Sequence, residues 1–217
     1  MSARDRILSR LRERAAPAPT QFTELDYSVM HRPLDAAVRK TRFIESLRAA
    51  RAEVIETTEA TWTDALAKVL DSREITALGL GEIHPWAQAA RRDLQDGRRR
   101  LVSFASVKGR EAFERLEAGL TSSCGAIAET GSVCLWPDAD EPRSLSLIPP
   151  VHIVVVDERH IYSSFFELQS AQSWHKGLPS NALLISGPSK TADIEQTLVF
   201  GAHGPKALVV LLITRSD

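Results

Sequence analysis

The residues whose types and spacing could do chemistry are concentrated in two polar segments of this sequence, Thr121–Gly131 and Gly187–Pro205. Both contain glycines and hydroxyl side chains, which let a backbone or a ligand come close and form hydrogen bonds to it. The second segment directly follows the apolar run Ala182–Ser186, whose composition predicts a buried strand. These two segments are therefore the first candidates for a binding or catalytic site.

The segment that begins at Gly187 has the layout of an anion site. A strand is followed by Gly-Pro and then by small hydroxyl residues that lead into a helix predicted over Ala192–Phe200. Free N–H groups at a helix start and the helix dipole attract anions, and Lys190 would add a positive charge. The alternative is that the hydroxyl and acidic side chains only cap this helix and complement its dipole. The candidate ligand-binding residues are Gly187, Ser189, Lys190, Thr191 and Asp193.

The same segment ends with a histidine between turn-forming residues. Gly201 is expected to be the C-cap of the predicted helix, and Pro205 prevents the helix from continuing. His203 lies between them, where its ring could carry a proton, contact a ligand or simply be exposed to solvent. His203 is therefore a candidate catalytic residue.

The segment Thr121–Gly131 contains one carboxylate, Glu129. A carboxylate held among small apolar neighbours is a candidate general base or nucleophile, so Glu129 is the second candidate catalytic residue. The alternative is an ordinary exposed acid in a turn. Cys124 and Cys134 are expected to be small buried residues rather than reactive thiols. The candidate ligand-binding residues in this segment are Thr121, Thr130 and Gly131.

Composition and motif content argue against several classes of function. The chain has 27 Lys and Arg against 28 Asp and Glu, so it has no general attraction for nucleic acid or a membrane surface. No apolar run is long enough to span a membrane, and no metal-ligand, Walker or dinucleotide-binding spacing occurs. The chain has 2 cysteines, too few for a standard iron–sulfur cluster with about four thiolate ligands. This low cysteine content favours a cytoplasmic protein without a cofactor of its own.

The rest of the sequence alternates between helix and strand patterns. Helices are predicted at Asp35–Ala50, Trp62–Leu70, Trp86–Leu94, Tyr162–Ala171 and Ala192–Phe200. Strands are predicted at Glu53–Glu56, Ile75–Leu80, Leu101–Phe104, Ser132–Trp136, Val151–Asp157, Ala182–Ser186 and Ala207–Ile213. This alternation predicts an α/β fold with a doubly wound, mainly parallel sheet. Ligands of such sheets bind beyond the carboxyl ends of the strands, which is where we expect the two polar segments.

The N-terminus is expected to form an arm separate from this fold. Residues 1–20 combine an Arg-rich amphipathic helix with a stiff proline-containing connector, Ala15–Thr20. Ile7, Leu8 and Leu11 would lie on one side of that helix. The α/β domain would then span residues 21–217.

Three stretches of the chain resemble the LutC/YkgG family of lactate-utilisation proteins, the LUD domain. They are Thr121–Val133, Leu147–Val156 and Gly187–Pro205, the last of which reads GPSKTADIEQTLVFGAHGP. The resemblance implies a fold similar to the group of ribose-phosphate isomerase, glucosamine-phosphate deaminase and CoA transferases. It also implies a role in oxidising L-lactate to pyruvate beside cysteine-rich and iron–sulfur partner subunits. The family often has Arg where this chain has Lys190, a change that keeps the charge but loses the bidentate fork.

The sequence leaves three functions open. The leading hypothesis is a non-cluster subunit or accessory protein of a lactate-oxidising complex, with a site for a small carboxylate or phosphate and with iron–sulfur clusters in the partner subunits. One alternative is a stand-alone enzyme of the CoA-transferase or sugar-phosphate isomerase type, in which Glu129 would accept the acyl group. Another is a module that binds an organic acid or a sugar phosphate. A pocket lined by both segments would favour a small-molecule site.

Overall fold

The computed structural model describes residues 2–14, 33–95, 97–104, 115–192 and 198–215, and the chain divides into two units, Met1–Met30 and His31–Asp217. In the first unit the described residues form helix α1, Ala3–Arg14, which confirms the predicted N-terminal helix. The hydroxyl of Ser2 donates to the carboxylate of Asp5 at 2.8 Å and accepts from its backbone N–H at 3.2 Å, which holds the first turn. The domain boundary predicted after residue 20 falls outside the described residues and stays a prediction.

The second unit is built on a six-stranded sheet in which every neighbouring pair of strands is parallel. With strands numbered in chain order, it contains β1 (Glu53–Thr57), β2 (Ala77–Leu80), β3 (Arg100–Ser103), β4 (Ala118–Thr121), β7 (Val151–Asp157) and β12 (Ala207–Ile213). The order across the sheet is β1-β12-β7-β4-β2-β3. From β2, the chain adds β3 on one side and then β4, β7 and β12 on the other side. This reversal confirms the predicted doubly wound, parallel architecture.

Strands β7 and β12 form the centre of the core because both of their faces are apolar. Ile153 and Val155 pack on one face of the sheet, whereas Val154 and Val156 pack on the other. A strand buried on both faces needs such a continuous apolar run, so the sequence predicted these two strands correctly.

Helices cover the first face of this sheet. Helix α3 (Trp62–Ser72) and helix α4 (Pro85–Asp93) pack there through Leu66, Leu70, Ala87 and Ala90, all fully or nearly fully buried. His84 is the N-cap of α4 and its ring nitrogen accepts from the N–H of Trp86, with Pro85 at the first helical position. Both helices were predicted from the period of their apolar residues.

The second face is covered by helix α2 (Ala36–Ala49) and by a small second sheet. Phe43, Ile44 and Leu47 are the buried residues of α2. The second sheet has the order β8-β5-β6-β9, with strands β5 (Gly125–Ile127), β6 (Ser132–Leu135), β8 (Ile161–Tyr162) and β9 (Leu183–Ile185). The sequence predicted β6 and β9 as strands but did not predict a separate sheet. Two further short helices are α5 (Arg143–Leu147) and α6 (Phe165–Ala171).

The helix predicted over Ala192–Phe200 is wrong. Strands β10 (Lys190–Ala192) and β11 (Leu198–Phe200) pair antiparallel there, with Lys190 opposite Phe200 and Thr191 opposite Val199. Gly201 is consequently not a helix C-cap, and its N–H donates to the carbonyl of Ser189 at 2.8 Å with φ at 77°. Cross-strand pairing suits Thr191 and Phe200, since β-branched and aromatic residues pack well on a sheet. The helix start that made Ser189–Thr191 an anion site is therefore absent from these described residues.

Candidate functional site

The two polar segments come together because their glycines pack against one turn of α2. A Cβ on Gly131 would lie 2.5 Å from the Cβ of Ser46, and a Cβ on Gly187 would lie 2.9 Å from the carbonyl oxygen of Ala50. Ser46 is in the last turn of α2, and Ala50, four residues later, is the C-cap of the helix. Gly131 also has φ at 60°, a conformation that favours glycine. The glycines therefore permit both segments to approach the same part of the helix.

A chain of hydroxyl groups also joins the ends of the two segments. The hydroxyl oxygen of Thr130 lies 2.7 Å from that of Ser132, which in turn lies 2.7 Å from that of Ser186. Ser132 is buried on β6, and Ser186 follows the neighbouring strand β9. The ends of the two segments therefore lie close together, a question that the sequence left open.

A cavity of about 200 Å³ lies beside the second segment. The described residues that line it are Ser146, Leu147, His152, Leu184, Ile185, Ser186, Gly187, Ser189, His203, Gly204, Pro205 and Leu208. Since a water molecule occupies about 30 Å³ of liquid, the cavity has room for a small organic molecule. Of the sequence candidates, Gly187, Ser189 and His203 line this cavity.

The cavity lies at the amino ends of two central strands rather than at the carboxyl ends. His152 is the second residue of β7, and Leu208 is the second residue of β12. The Gly187 segment does follow the carboxyl end of β9, but the expectation that it lies beyond the carboxyl ends of the central strands is wrong. Its last residues, Gly201–Pro205, lead into the start of β12.

His152 is the functional candidate that the sequence reasoning missed. Its side chain is buried, and its Nε2 lies 2.8 Å from the hydroxyl oxygen of Thr121. Its Nδ1 has no hydrogen-bond partner among the described residues, although buried polar atoms normally have one. Burial lowers the pKa of His152 to about 3, so the ring is neutral. The available signal was a polar ring at the second position of the otherwise apolar strand sequence VHIVVVD.

Thr121 is the residue that connects the first segment to the cavity. It ends β4, is buried, and reaches His152 on the adjacent strand β7. Thr121 is not among the residues that line the cavity, and its contact with His152 is its link to that lining. A backbone hydrogen bond joins two other lining residues: the N–H of Ser189 donates to the carbonyl of Pro205 at 2.9 Å.

Glu129 and Lys190 do not belong to this cavity. Glu129 is exposed in the turn between β5 and β6, and its N–H donates to the carbonyl of Ser163 at 3.1 Å. The premise that its carboxylate is held among small apolar neighbours is therefore wrong. Lys190 is exposed on β10, Thr130 is exposed and Thr191 is half-buried, and none of the three lines the cavity. Asp193 lies outside the described residues.

The carboxyl ends of the strands, where ligands of open α/β sheets bind, are filled by two acids of this chain. Strands β2 and β4 are neighbours there, while β3 and β7 lie on opposite sides of them. The carboxylate of Asp140 accepts from the backbone N–H groups of residues 82, 83 and 84 at 2.8, 3.0 and 3.3 Å. Glu141 accepts from the N–H and the hydroxyl of Ser122 at 2.9 and 2.6 Å.

The pKa values of the two acids are shifted in opposite directions. Burial raises the pKa of Asp140, but the three backbone N–H donors together outweigh that effect and hold the pKa below its ordinary value. For Glu141 burial dominates, so its pKa is raised in spite of the two donors of Ser122. The sequence analysis identified neither residue, because their contacts join positions far apart in the chain.

Neither a metal centre nor a membrane span was found in the described part of the chain. No group of three or more His, Cys, Asp or Glu residues is arranged there to hold a metal ion. Within the same residues, no helix is long and apolar enough to cross a membrane.

Comparison with known proteins finds relatives that align with most of the chain. An uncharacterised protein of Neisseria meningitidis serogroup B is 32% identical over 98% of this chain and 94% of its own length. A lactate utilization protein C from Macrococcus caseolyticus is 29% identical over 91% of this chain and 89% of its own length. Another protein of that name, from Deinococcus radiodurans, is 36% identical over 69% of this chain and 67% of its own length.

A solved structure and a family model agree with these relatives. A crystal structure of a DUF162 family protein from Deinococcus radiodurans has a TM-score of 0.63 and 27% sequence identity, and it covers 84% of this chain and 100% of its own. The family model described as the LUD domain matches residues 40–213. The chain therefore belongs to the LUD-domain, or LutC/YkgG, family.

Proposed function

We propose that this chain is a non-cluster subunit or accessory protein of a complex that oxidises L-lactate to pyruvate, and that its cavity binds the small carboxylate. Its membership of the LUD-domain family supports a role in lactate utilisation, since relatives that match 91% and 69% of this chain are named lactate utilization protein C. The cavity supports the second half of the proposal, that this subunit binds the small carboxylate.

The observation that carries the proposal is that two histidines line one small cavity, His152 buried and His203 exposed. The cavity that His152 lines is about 200 Å³ in volume and includes the hydroxyls of Ser186 and Ser189. A short organic acid matches both the size and the polarity of this lining.

The charge of a carboxylate would be met at His203. This residue lines the same cavity but is exposed, so an N–H of its imidazole can donate to an anion while the ring stays in contact with water. The two histidines are the titratable side chains among the described lining residues. His203 is accordingly the proposed carboxylate contact.

The electrons removed from lactate would pass to the partner subunits. This chain has 2 cysteines, and Cys134 is completely buried, whereas a standard cluster takes about four thiolates. We infer that cysteine-rich and iron–sulfur lactate-utilisation subunits carry the clusters and that this chain contributes the acid-binding cavity.

Deletion and complementation in the source organism test the proposal. The deletion strain should fail to grow on L-lactate as the carbon source and should grow normally on pyruvate. Wild-type protein and the His175→Gln variant, which changes an exposed histidine outside the cavity, should restore growth. His152→Phe should restore it poorly although it accumulates to the wild-type level. Normal growth of the deletion strain on L-lactate would refute the proposed role.

A further inference from the structure

We propose that Cys124 and Cys134 form a redox site, in which a peroxide oxidises the half-buried Cys124 and the buried Cys134 then closes a reversible disulfide with it. They are the 2 cysteines of the chain, and both are free thiols. The site lies in the second sheet and does not depend on the acid that the cavity binds. Its substrate is a small hydroperoxide that can reach a half-buried sulfur.

The backbone brings the two cysteines side by side. Strand β5 begins at Gly125, which is in register with Cys134 on the antiparallel strand β6. The N–H of Cys124 also donates to the carbonyl of Cys134 at 2.9 Å, so Cys124 and Gly125 both lie opposite Cys134, as in a β-bulge. Facing residues of antiparallel strands have Cα atoms about 4.5–5.5 Å apart, within the range of about 4.4–6.8 Å that a disulfide spans.

The two side chains lie in the same apolar group. Cys134 is completely buried there with Leu168 of α6 and Trp174, and Cys124 packs against the same residues. The sulfur of Cys124 lies 3.3 Å from the carbonyl oxygen of Cys134, to which its thiol donates. A disulfide between the two sulfurs therefore needs rotation of the side chains rather than movement of the strands.

The two thiols differ in exposure and in acidity. Cys124 is half-buried, whereas Cys134 is completely buried. A hydrogen bond from the thiol of Cys134 lowers the pKa of Cys124, although burial acts in the opposite direction. The same contact, together with burial, raises the pKa of Cys134. Since the thiolate is the nucleophile, Cys124 is the sulfur that reacts first.

The reaction balances with one molecule of hydrogen peroxide. The thiolate of Cys124 attacks a peroxide oxygen, the O–O bond breaks, and a sulfenic acid forms while hydroxide leaves and takes up the proton that the thiol had released. The sulfur of Cys134 then attacks that of Cys124. The S–S bond forms, the S–O bond breaks, and the departing hydroxide takes the proton of the Cys134 thiol. The two thiols lose two electrons to the peroxide, which becomes two water molecules.

Peroxide treatment of the folded wild-type protein tests this site by mass measurement. A small excess of hydrogen peroxide should give a monomer lighter by two hydrogen atoms, without free thiols in denaturant, and dithiothreitol should restore both thiols. A protease that cleaves after glutamate then locates the bond, because Glu129 lies between the two cysteines. The fragments that contain Cys124 and Cys134 should stay joined until they are reduced.

Single substitutions separate the roles of the two sulfurs. Cys134→Ala should stop at the sulfenic acid, heavier by one oxygen atom and trapped on Cys124 by dimedone. Cys124→Ala should lose its remaining buried thiol about tenfold more slowly than wild type loses its thiols. Both variants should keep the circular dichroism spectrum of the wild type.

Three results with the wild-type protein would overturn this inference. They are two unreacted thiols, a sulfinic acid on Cys124 beside a free Cys134, and a disulfide that forms only between two chains. Each of them would leave the proposed function standing, since neither cysteine lines the cavity.

Discussion

The hydroxyl oxygen of Thr121 lies 2.8 Å from Nε2 of His152, and both side chains are buried. The contact links the end of β4 to the start of β7 on the face of the central sheet that packs against the second sheet. It leaves Nδ1 of the same ring without a partner among the described residues. The first polar segment thus contacts a residue that lines the cavity of the second segment.

Replacement of Thr121 should destabilise the protein. Thr121→Val keeps the shape but leaves Nε2 of a buried ring unpaired, so the free energy of unfolding should fall by about 1–3 kcal/mol. Thr121→Ser keeps the hydroxyl and loses one methyl group, and its effect should be about 1 kcal/mol or less. Urea unfolding at pH 7 measures both variants. Equal losses would show that the hydrogen bond contributes little.

Glycine substitutions should separate steric contact from backbone strain. Gly131→Ala combines φ at 60° with an approach of 2.5 Å to Ser46, so the free energy of unfolding should fall by about 2–4 kcal/mol. Gly97 has φ at 70° but no described atom within 4 Å, so Gly97→Ala should lose only about 1 kcal/mol.

Gly177 supplies the control for that comparison. It has φ at 172°, an extended conformation open to any residue, and no described atom lies within 4 Å of a Cβ there. Gly177→Ala should leave the thermal unfolding temperature unchanged or raise it slightly. If Gly131→Ala were as mild as Gly177→Ala, the packing of this segment on α2 would be looser than described.

Asp140 should contribute stability that disappears in acid. Its folded-state pKa lies below the unfolded value of about 3.9, so its contribution is present above about pH 4 and is lost as the pH falls through the folded-state pKa. Asp140→Asn should therefore lower the free energy of unfolding by about 1–2 kcal/mol at pH 7. The deficit should shrink toward pH 2, and a deficit independent of pH would contradict this explanation.

Glu141 should show the opposite dependence. Its folded-state pKa is raised, so the native state takes up this proton first and the contribution of Glu141 to stability grows as the pH falls. Glu141→Gln keeps an oxygen that accepts from Ser122 and removes a charge that burial disfavours. The variant should be at least as stable as wild type at pH 7 and should lose this advantage in acid, as denaturant unfolding at the two pH values would show. A large loss at pH 7 would mean that the ionised form is the one the fold prefers.

Substitution of Glu129 should leave ligand binding unchanged. Its exposed carboxylate lies outside the cavity lining, so Glu129→Gln and Lys190→Ala should bind pyruvate with wild-type affinity in calorimetry. Mass measurement after incubation with an acyl-CoA should show no adduct on Glu129. An adduct there, or a lost response in Glu129→Gln, would favour the CoA-transferase alternative instead.

The sequence predicted the parts of this fold that depend on local pattern. Val151–Asp157 and Ala207–Ile213 are continuous apolar runs, and a run of that kind is stable only as a strand buried on both faces. Trp62–Leu70 repeats its apolar residues at the helical period, and it forms α3. The two polar segments were also recognisable from the types of their own residues.

The sequence could not predict the contacts that join distant positions. Lys190 pairs with Phe200, and the strands that contain them occupy the described ends of the segment where the local pattern favoured a helix. His152 becomes a site candidate only when Thr121, 31 positions earlier, is placed beside it. Asp140 similarly occupies the end of β2 through a contact with residues 56 to 58 positions earlier.

A crystal structure of this protein with bound pyruvate tests the central claim most directly. The account predicts the acid in the cavity that His152 and His203 line, with its carboxylate at His203. Pyruvate bound elsewhere, with this cavity holding only water, would contradict it.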